Sequence, residues 1–471
     1  MSQESVANFA TSEARTMRLR LAALLNQGVF GSLLLLLVLS AIPYGTVEPW
    51  WKAAFVCAVF SICIAAIVES LLSRDSRIYG LPGLLLSMLV LCGFAFLQTL
   101  TIRSGNDDPA VATLQPWNAI SADPYQTRFF VLQLLALTTC LALLYRYCRT
   151  ERRINLLIHV ILAVAVASAL FGIFRQTLQQ HPGFVLPRTL PGQGYGQFIN
   201  KNHFAYLMEM ALGLGIGMGL GRGIKRERVM IYVALLLPVW TGLVLSNSRG
   251  GILAMLTQVV VASILLAGGL KTKEKAGLVE TTITPRRSMW IRVVLLLCLI
   301  AVIIVGTVWV GGDRLVSNFG LASSEFNPSA NDLRGGVTRS EIWRASWKMF
   351  TAHPIVGVGL GGYWIAVTSY HNASGVMTPQ EAHNDYLELL SSGGVVGLAI
   401  GIWFVVSLFR GVRGNLSSNH PFQRAVCFSA LLGITGVAVH SLVDFGLHLM
   451  IIALVFLGLV MVATQRIEVE R

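Results

Sequence analysis

The chain has 471 residues, of which 54% are hydrophobic and only 13% charged, and its formal net charge is +13. A soluble protein carries about a quarter charged residues, so this composition excludes a soluble globular fold and implies a polytopic membrane protein. The surplus Lys and Arg lie in a pattern that sets membrane orientation, and nucleic-acid binding is not expected.

Window hydropathy gives about twelve apolar spans, most of the roughly 18 residues or more needed to cross a bilayer. The first, at 28–44, follows a mixed segment, 1–27, and has no clear small-residue cleavage site, so it reads as a span and not a signal peptide. Spans at 52–70, 81–99, 129–147 and 154–174 follow, then 202–221, 229–246 and 250–269. A ninth is expected at 291–311, and the last three at 389–409, 424–443 and 447–464. With the N-terminus in the cytoplasm, the cytoplasmic segments collect most of the basic residues, from Arg15, Arg18 and Arg20 through Lys271–Arg292 to Arg466 and Arg471. Both termini are therefore expected in the cytoplasm. The seven cysteines fall in spans or at their cytoplasmic ends, so no disulfides are expected, and their spacing fits no zinc pattern.

The longer connections carry the polar chemistry. FINKNHFAY (198–206) brings Lys201, Asn202 and His203 to the entry of a span, with Glu209 two turns further in. LSNSRGG (245–251) joins two spans by a very short turn that holds Arg249 at the membrane boundary. A guanidinium there suits phosphate oxygens; snorkelling, or pairing with Glu209 or Asp444, is the structural alternative. A basic cytoplasmic loop, 270–290, precedes the ninth span.

The longest connection, 312–388, is rich in aromatic residues and should fold. RSEIWRASWKMF (339–350) has helical spacing, with Ile342, Trp343, Ser346, Met349 and Phe350 on one face and Arg339, Arg344 and Lys348 elsewhere. His353-Pro354 should stop it. Arg339 is either a second phosphate ligand or a salt-bridge partner of Glu341 or Asp332. GVGLGG (357–362) satisfies the dinucleotide glycine spacing but follows no predicted strand, so that reading fails on context. Such a turn can still offer backbone N–H groups to an anion.

EAHNDYLELLSSGGVVG (381–397) sets His383, Asn384, Asp385 and Glu388 at the mouth of a span. Imidazole is the commonest general base. Asn384 or Asp385 can cap the helix, and Glu388 is expected to face away from His383. His440, Asp444 and His448 sit near the ends of the last two spans and read as a packed polar network. Glycines at four-residue spacing, Gly213, Gly217 and Gly221, then Gly393, Gly397 and Gly401, suggest close helix packing.

The stretch HNDYLELLSSGGVVG resembles the signature of the O-antigen ligase and polymerase superfamily: His383, Asn384, nine residues, then Gly394 and Gly397. RSEIWRASWKMFTAHPIVGVGLGGY, SNSRGG and FINKNHFAYLMEM are similar to its Arg–Trp–His-Pro segment, its Arg-bearing turn and its Asn-rich span entry, so the likeness covers about 195–410. The resemblance implies an all-α polytopic membrane protein with about twelve transmembrane helices and a GT-C-like plan. Its organisation is a cytoplasmic segment (1–27), spans one to nine (28–311), a large, partly helical periplasmic loop (312–388), spans ten to twelve (389–464) and a cytoplasmic tail (465–471).

The resemblance also implies an inner-membrane glycosyltransferase that inverts the anomeric centre, with no metal and no nucleotide or other cofactor. Its donor is a glycan on undecaprenyl diphosphate at the periplasmic face, in contact with membrane lipid. The acceptor hydroxyl belongs to lipid A–core, to a growing glycan or to a protein, giving ligase, polymerase or protein-directed branches. His383 is then the base and Arg249 the diphosphate ligand, with Arg339, Lys201, Asn202, Asn384 and Glu388 binding diphosphate or glycan. A transporter or flippase is the alternative of another class; it would need a charged path through the bilayer centre.

Overall fold

The computed structural model describes residues 3–75, 82–101, 117–267, 338–371 and 379–468. The ninth expected span, the 270–290 loop, Cys298, Asp332 and the first part of the long loop lie outside these residues. The architecture is all-helical and multi-pass. Helices run in the order α1 (Gln3–Ala41), α2 (Pro49–Ser73), α3 (Pro82–Leu97), α4 (Pro124–Tyr147), α5 (Glu151–Leu178), α6 (Lys201–Leu220), α7 (Val229–Leu245) and α8 (Arg249–Ala267). Then come α9 (Arg339–Ala352), the short α10 (Tyr363–Ala366), α11 (Asp385–Leu416), α12 (Pro421–His440) and α13 (Met450–Thr464). Among the described residues eight helices are long and apolar enough to cross a membrane, and α3, α8 and α13 are shorter apolar helices. Each of the other eleven expected spans falls on one of these helices. The ends differ where hydropathy is blind: α5 continues to Leu178, past the expected end at 174.

Helix starts follow local chemistry. Pro occupies the first turn of α2, α4 and α12, where its missing N–H costs nothing. Asn200 caps α6 by accepting from Asn202 N at 2.9 Å, and Asn384 caps α11 by accepting from Tyr386 N and Leu387 N at 3.1 and 3.0 Å. Thr338 and Glu341 form a reciprocal capping box on α9. On α9, Ile342, Ser346 and Met349 are buried as the spacing predicts, with Ala345 beside them. His353 ends the helix, as expected, and its ring meets the Tyr370 hydroxyl at 3.1 Å.

Two helices, α6 and α13, are buried over nearly their whole surface, whereas α2 and α7 present long apolar exposed faces of the kind lipid covers. The tightest pair is α6 with α12. A Cβ added at Gly217 would lie 2.3 Å from Ser429 Cα, and one at Gly213 would lie 2.6 Å from Gly433 N. The four-residue glycine stripe therefore lets two backbones touch, and polar side chains at the ends of both helices are brought within bonding distance.

One spanning helix is broken. Within α11, Gly394 has φ 60° and ψ −161°, a conformation open essentially to glycine alone. The segment after α9 lies in the break: Val395 N and Val396 N donate to Pro354 O and Ile355 O at 2.9 and 3.2 Å, while Val358 N and Gly359 N donate to Ser391 O and Ser392 O at 3.1 and 2.9 Å. Gln98 from the end of α3 clamps both sides, donating to Val356 O and Ser392 O and accepting from Leu360 N. This corrects the anion-binding alternative for GVGLGG. Five of its six N–H groups, those of Gly357, Val358, Gly359, Leu360 and Gly362, are spent on packing, which leaves no cradle of converging donors.

Candidate active site

His383 stands in the short segment that leads into α11. Its φ of 51° is the left-handed region, uncommon for a residue with a side chain. The flanks hold it there: Ala382 N donates to Glu388 Oε2 at 2.8 Å, and Asp385 N donates to Ser441 O at 3.0 Å. The ring packs edge-on against Phe445, centroids 4.7 Å apart, and its Nδ1 lies 3.2 Å from Asp444 Oδ1. The His383 side chain is 31% exposed and that of Asp444 fully buried. A proton on Nδ1 donates to the carboxylate and leaves the Nε2 lone pair as the acceptor, so Asp444 sets the tautomer.

Asp444 is itself held by donors from two other elements. Phe445 N donates to Oδ1 at 3.0 Å, and Asn202 Nδ2 donates to Oδ2. Burial pushes this carboxyl up, but the His383 hydrogen bond and the imidazoles of His203 and His440 outweigh it and hold it well below the usual carboxylate range. It is an anion with three donors, poised to face an imidazolium.

Asn202 has a second attachment. Its Oδ1 accepts from Ser248 Oγ at 2.9 Å. Ser248 is the last residue of the turn between α7 and α8, and the same hydroxyl oxygen accepts from Gly251 N at 3.2 Å. Asn247 in this turn has φ 53°. Arg249, half-buried, is the next residue and the first of α8. A continuous chain of bonds thus runs from His383 through Asp444, Asn202 and Ser248 to the residue before Arg249.

The remaining sequence-predicted residues divide. Asn384 is the helix cap and also donates to Leu442 O at 2.9 Å, tying α11 to the turn after α12. Glu388 is buried and turns to Ala382 and to His448, whose Nε2 lies 3.4 Å from Glu388 Oε1 and 3.7 Å from Asp385 Oδ1. Lys201 is half-buried at the first position of α6, beside Asn202. Arg339 is half-buried at the first position of α9, which packs against α11. The bonds traced above join His383, Asn202 and the Arg249 turn; Arg339 comes to the site only through the packing of its helix.

From the sequence, Asp444 is expected in a packed network with His440 and His448, or as a partner of Arg249. The three residues of that expected network instead turn outward: His440 pairs with Glu209 at 2.9 Å, His448 lies 3.4 Å from Glu388, and Asp444 meets His383. Asp444 was visible as an acid near a span end, yet its partner lies 61 positions away in sequence. Ser248 lies in the LSNSRGG turn, where its hydroxyl is free to cap or hydrogen-bond, but nothing local names Asn202 as its partner. Phe445 had no sequence signal at all; its ring touches His203, His383 and His448, at centroid distances of 5.1, 4.7 and 6.0 Å. Among the described residues no group of three or more His, Cys, Asp or Glu is arranged to hold a metal ion. What the cluster offers is an oriented imidazole tied by hydrogen bonds to the turn that precedes Arg249.

Residues 232–402 match the family model described as O-antigen ligase. The match includes Arg249, Arg339, His383, Asn384 and Glu388 and begins after Lys201 and Asn202, so it is narrower than the 195–410 likeness read from motifs. No curated protein matches the chain.

Proposed function

We propose, from the match of residues 232–402 to the O-antigen ligase family model, that this multi-pass membrane protein belongs to that superfamily and transfers a glycan from undecaprenyl diphosphate to an acceptor hydroxyl at the periplasmic membrane face. The acceptor most in keeping with the matched domain is the lipid A–core, which makes the chain ligase-like. His383 Nε2 takes the proton of the acceptor hydroxyl. The acceptor oxygen bonds to the anomeric carbon from the face opposite the diphosphate, and the carbon–oxygen bond to the diphosphate breaks with inversion. Arg249 meets the negative charge that grows on the leaving diphosphate, the role a positioned guanidinium fills well. Asp444 stabilises the imidazolium formed on His383.

Arg339 is the second diphosphate ligand in this reading and Lys201 a further cation near it. Asn202 acts as a spacer between base and cation, and Asn384 and Glu388 hold the base segment against the turn after α12. The exposed apolar faces of the spanning helices leave the polyprenyl tail in lipid while the headgroup enters the site.

One observation carries the reading: the bonded chain His383–Asp444–Asn202–Ser248 ends at the residue before Arg249. It gives the base its tautomer and ties it to the cation's turn. The test uses full-length protein in lipid nanodiscs with a lipid-linked oligosaccharide donor. His383→Ala and Arg249→Ala should insert and fold normally but lose transfer by about 10² to 10⁴. Transfer at the wild-type rate by both variants overturns the proposal. Deleting the gene and resolving surface glycans on a gel identifies the acceptor. Uncapped lipid A–core beside intact polymer means ligase, single-repeat capping means polymerase, and unchanged glycans with an unglycosylated protein mean the protein-directed branch.

A further inference from the structure

Deeper in the bundle than the base, a second ionisable pair crosses from α6 to α12. Glu209 is fully buried and accepts from His440 Nδ1 at 2.9 Å. The His440 ring lies flat on Tyr206, with centroids 3.9 Å apart and planes 4° from parallel. Ionisable groups inside a membrane bundle are costly and mark function by default. A tie between α6 and α12 alone does not need such a pair, because glycine already packs those two backbones together.

Two contacts show what the pair holds. A Cβ added at Gly250 would lie 2.4 Å from His440 Cδ2 and 2.5 Å from His440 Nε2. The far edge of the imidazole therefore rests on the backbone of the residue directly after Arg249. The His440 carbonyl also accepts from Val443 N and Asp444 N, at 2.9 and 3.1 Å, so the same residue closes the turn that carries Asp444. One side chain and its own backbone touch both halves of the site.

The leverage comes from α8. Further along that helix Gln258 Nε2 donates to Glu209 O at 2.9 Å, and a Cβ at Gly436 would lie 2.3 Å from the same nitrogen. Gln258 is thus pinned between α6 and α12. From Gln258 to Gly250 is about 12 Å of helix at 1.5 Å per residue. The Arg249 end of α8 is set by where that lever rests, and on this side it rests on the His440 ring.

We propose that His440, locked by Glu209 and Tyr206, is a positioning residue: it fixes the height of the α8 N-terminus, and so the distance from the Arg249 guanidinium to the His383–Asp444 pair. The proposal rests on the reading of Arg249 as the ligand of the donor diphosphate. It implies that His440 acts on donor handling and leaves the acceptor alone. A displacement of about 1 Å at a reacting centre costs about 10² in rate, so the effect is large enough to read.

The test is steady-state transfer by full-length variants in nanodiscs, with donor and acceptor varied separately and folding checked by thermal unfolding. His440→Ala should raise the donor KM at least tenfold and keep the acceptor KM within about threefold, since it acts through α8. Gly250→Ala gives a second arm that approaches from the other side. Its methyl meets the ring and should raise the donor KM similarly, whereas the His440→Ala/Gly250→Ala double variant, with room for the methyl, should handle donor better than either single variant. In an Arg249→Lys background, where the guanidinium fork is gone, His440→Ala should add less than about threefold.

A donor KM unchanged in His440→Ala, or single-variant losses that simply multiply in the double variant, overturns the proposal. If His440→Ala does not fold, Gly250→Ala decides alone, and a donor KM within about threefold of wild type then sinks it. Failure of the underlying reading looks different: Arg249→Lys and Arg249→Ala would then leave donor KM and kcat unaltered.

Discussion

Replacing Asp444 by Asn keeps the shape of a buried side chain and changes what it offers. In the native site both carboxylate oxygens accept, Oδ1 from His383 Nδ1 and Phe445 N, Oδ2 from Asn202 Nδ2. An amide has one accepting atom for those three donors, and its NH2 group meets a donor whichever way it turns. Facing His383, it forces Nδ1 to accept, so Nε2 carries the proton and cannot take another. Charge is lost as well. Opposite charges 3.2 Å apart attract by about 5 kcal/mol at an effective dielectric of about 20. The His383 side chain is 31% exposed, and water reduces this to about 3 kcal/mol. At about 1.4 kcal/mol per tenfold, Asp444→Asn should lower kcat by about two orders of magnitude. The assay is single-turnover transfer in nanodiscs at saturating donor, beside a donor titration that should shift by less than about threefold. A variant that keeps more than about a third of the wild-type kcat, or that loses activity only through donor KM, refutes the orienting role.

Three other perturbations follow from the fold. Gly394→Ala sets a Cβ 2.3 Å from Ile355 O at φ 60° and should cost about 2–4 kcal/mol, read as a lower unfolding temperature together with lost transfer. Thr338→Ala removes half of the α9 capping box and should cost about 1 kcal/mol locally, so amide exchange over 339–342 should rise about fivefold with spanning helices unchanged. The Asp444 carboxyl is held below its unfolded value of about 4. It therefore contributes stability that is present above pH of about 4 and lost as pH falls through the folded value. The wild-type advantage over Asp444→Asn in thermal unfolding should be flat from pH 7 to 5 and shrink below about pH 4; a gap that widens there contradicts the assignment.

The helices were legible because bilayer crossing writes itself in composition: apolar runs in the sequence fall on α1 to α8 and α11 to α13. Caps were legible too, since Asn384 and the start of α9 obey short-range rules that need no knowledge of the fold. The His383–Asp444 contact was not. It depends on α6 and α12 meeting through glycine, so that Asn202 and Asp444 arrive from opposite directions at one point. No local pattern encodes that meeting. The GVGLGG turn misled in the same way, because whether its N–H groups stand free depends on α11 being broken at Gly394. Glu209 and His440 were visible as polar residues in apolar runs, but their pairing needed the same α6–α12 approach.

That chain of bonds is drawn from residues far apart in the order of synthesis. Asn202 and Ser248 emerge early, His383 much later, and Asp444 in the hairpin before the final helix. A nascent chain stopped short of residue 444 holds the histidine without the anion that selects its tautomer. On the proposed reading, the closing hairpin is therefore the element that completes the His383 site, and a chain inserted only as far as α12 carries the imidazole with its tautomer unset.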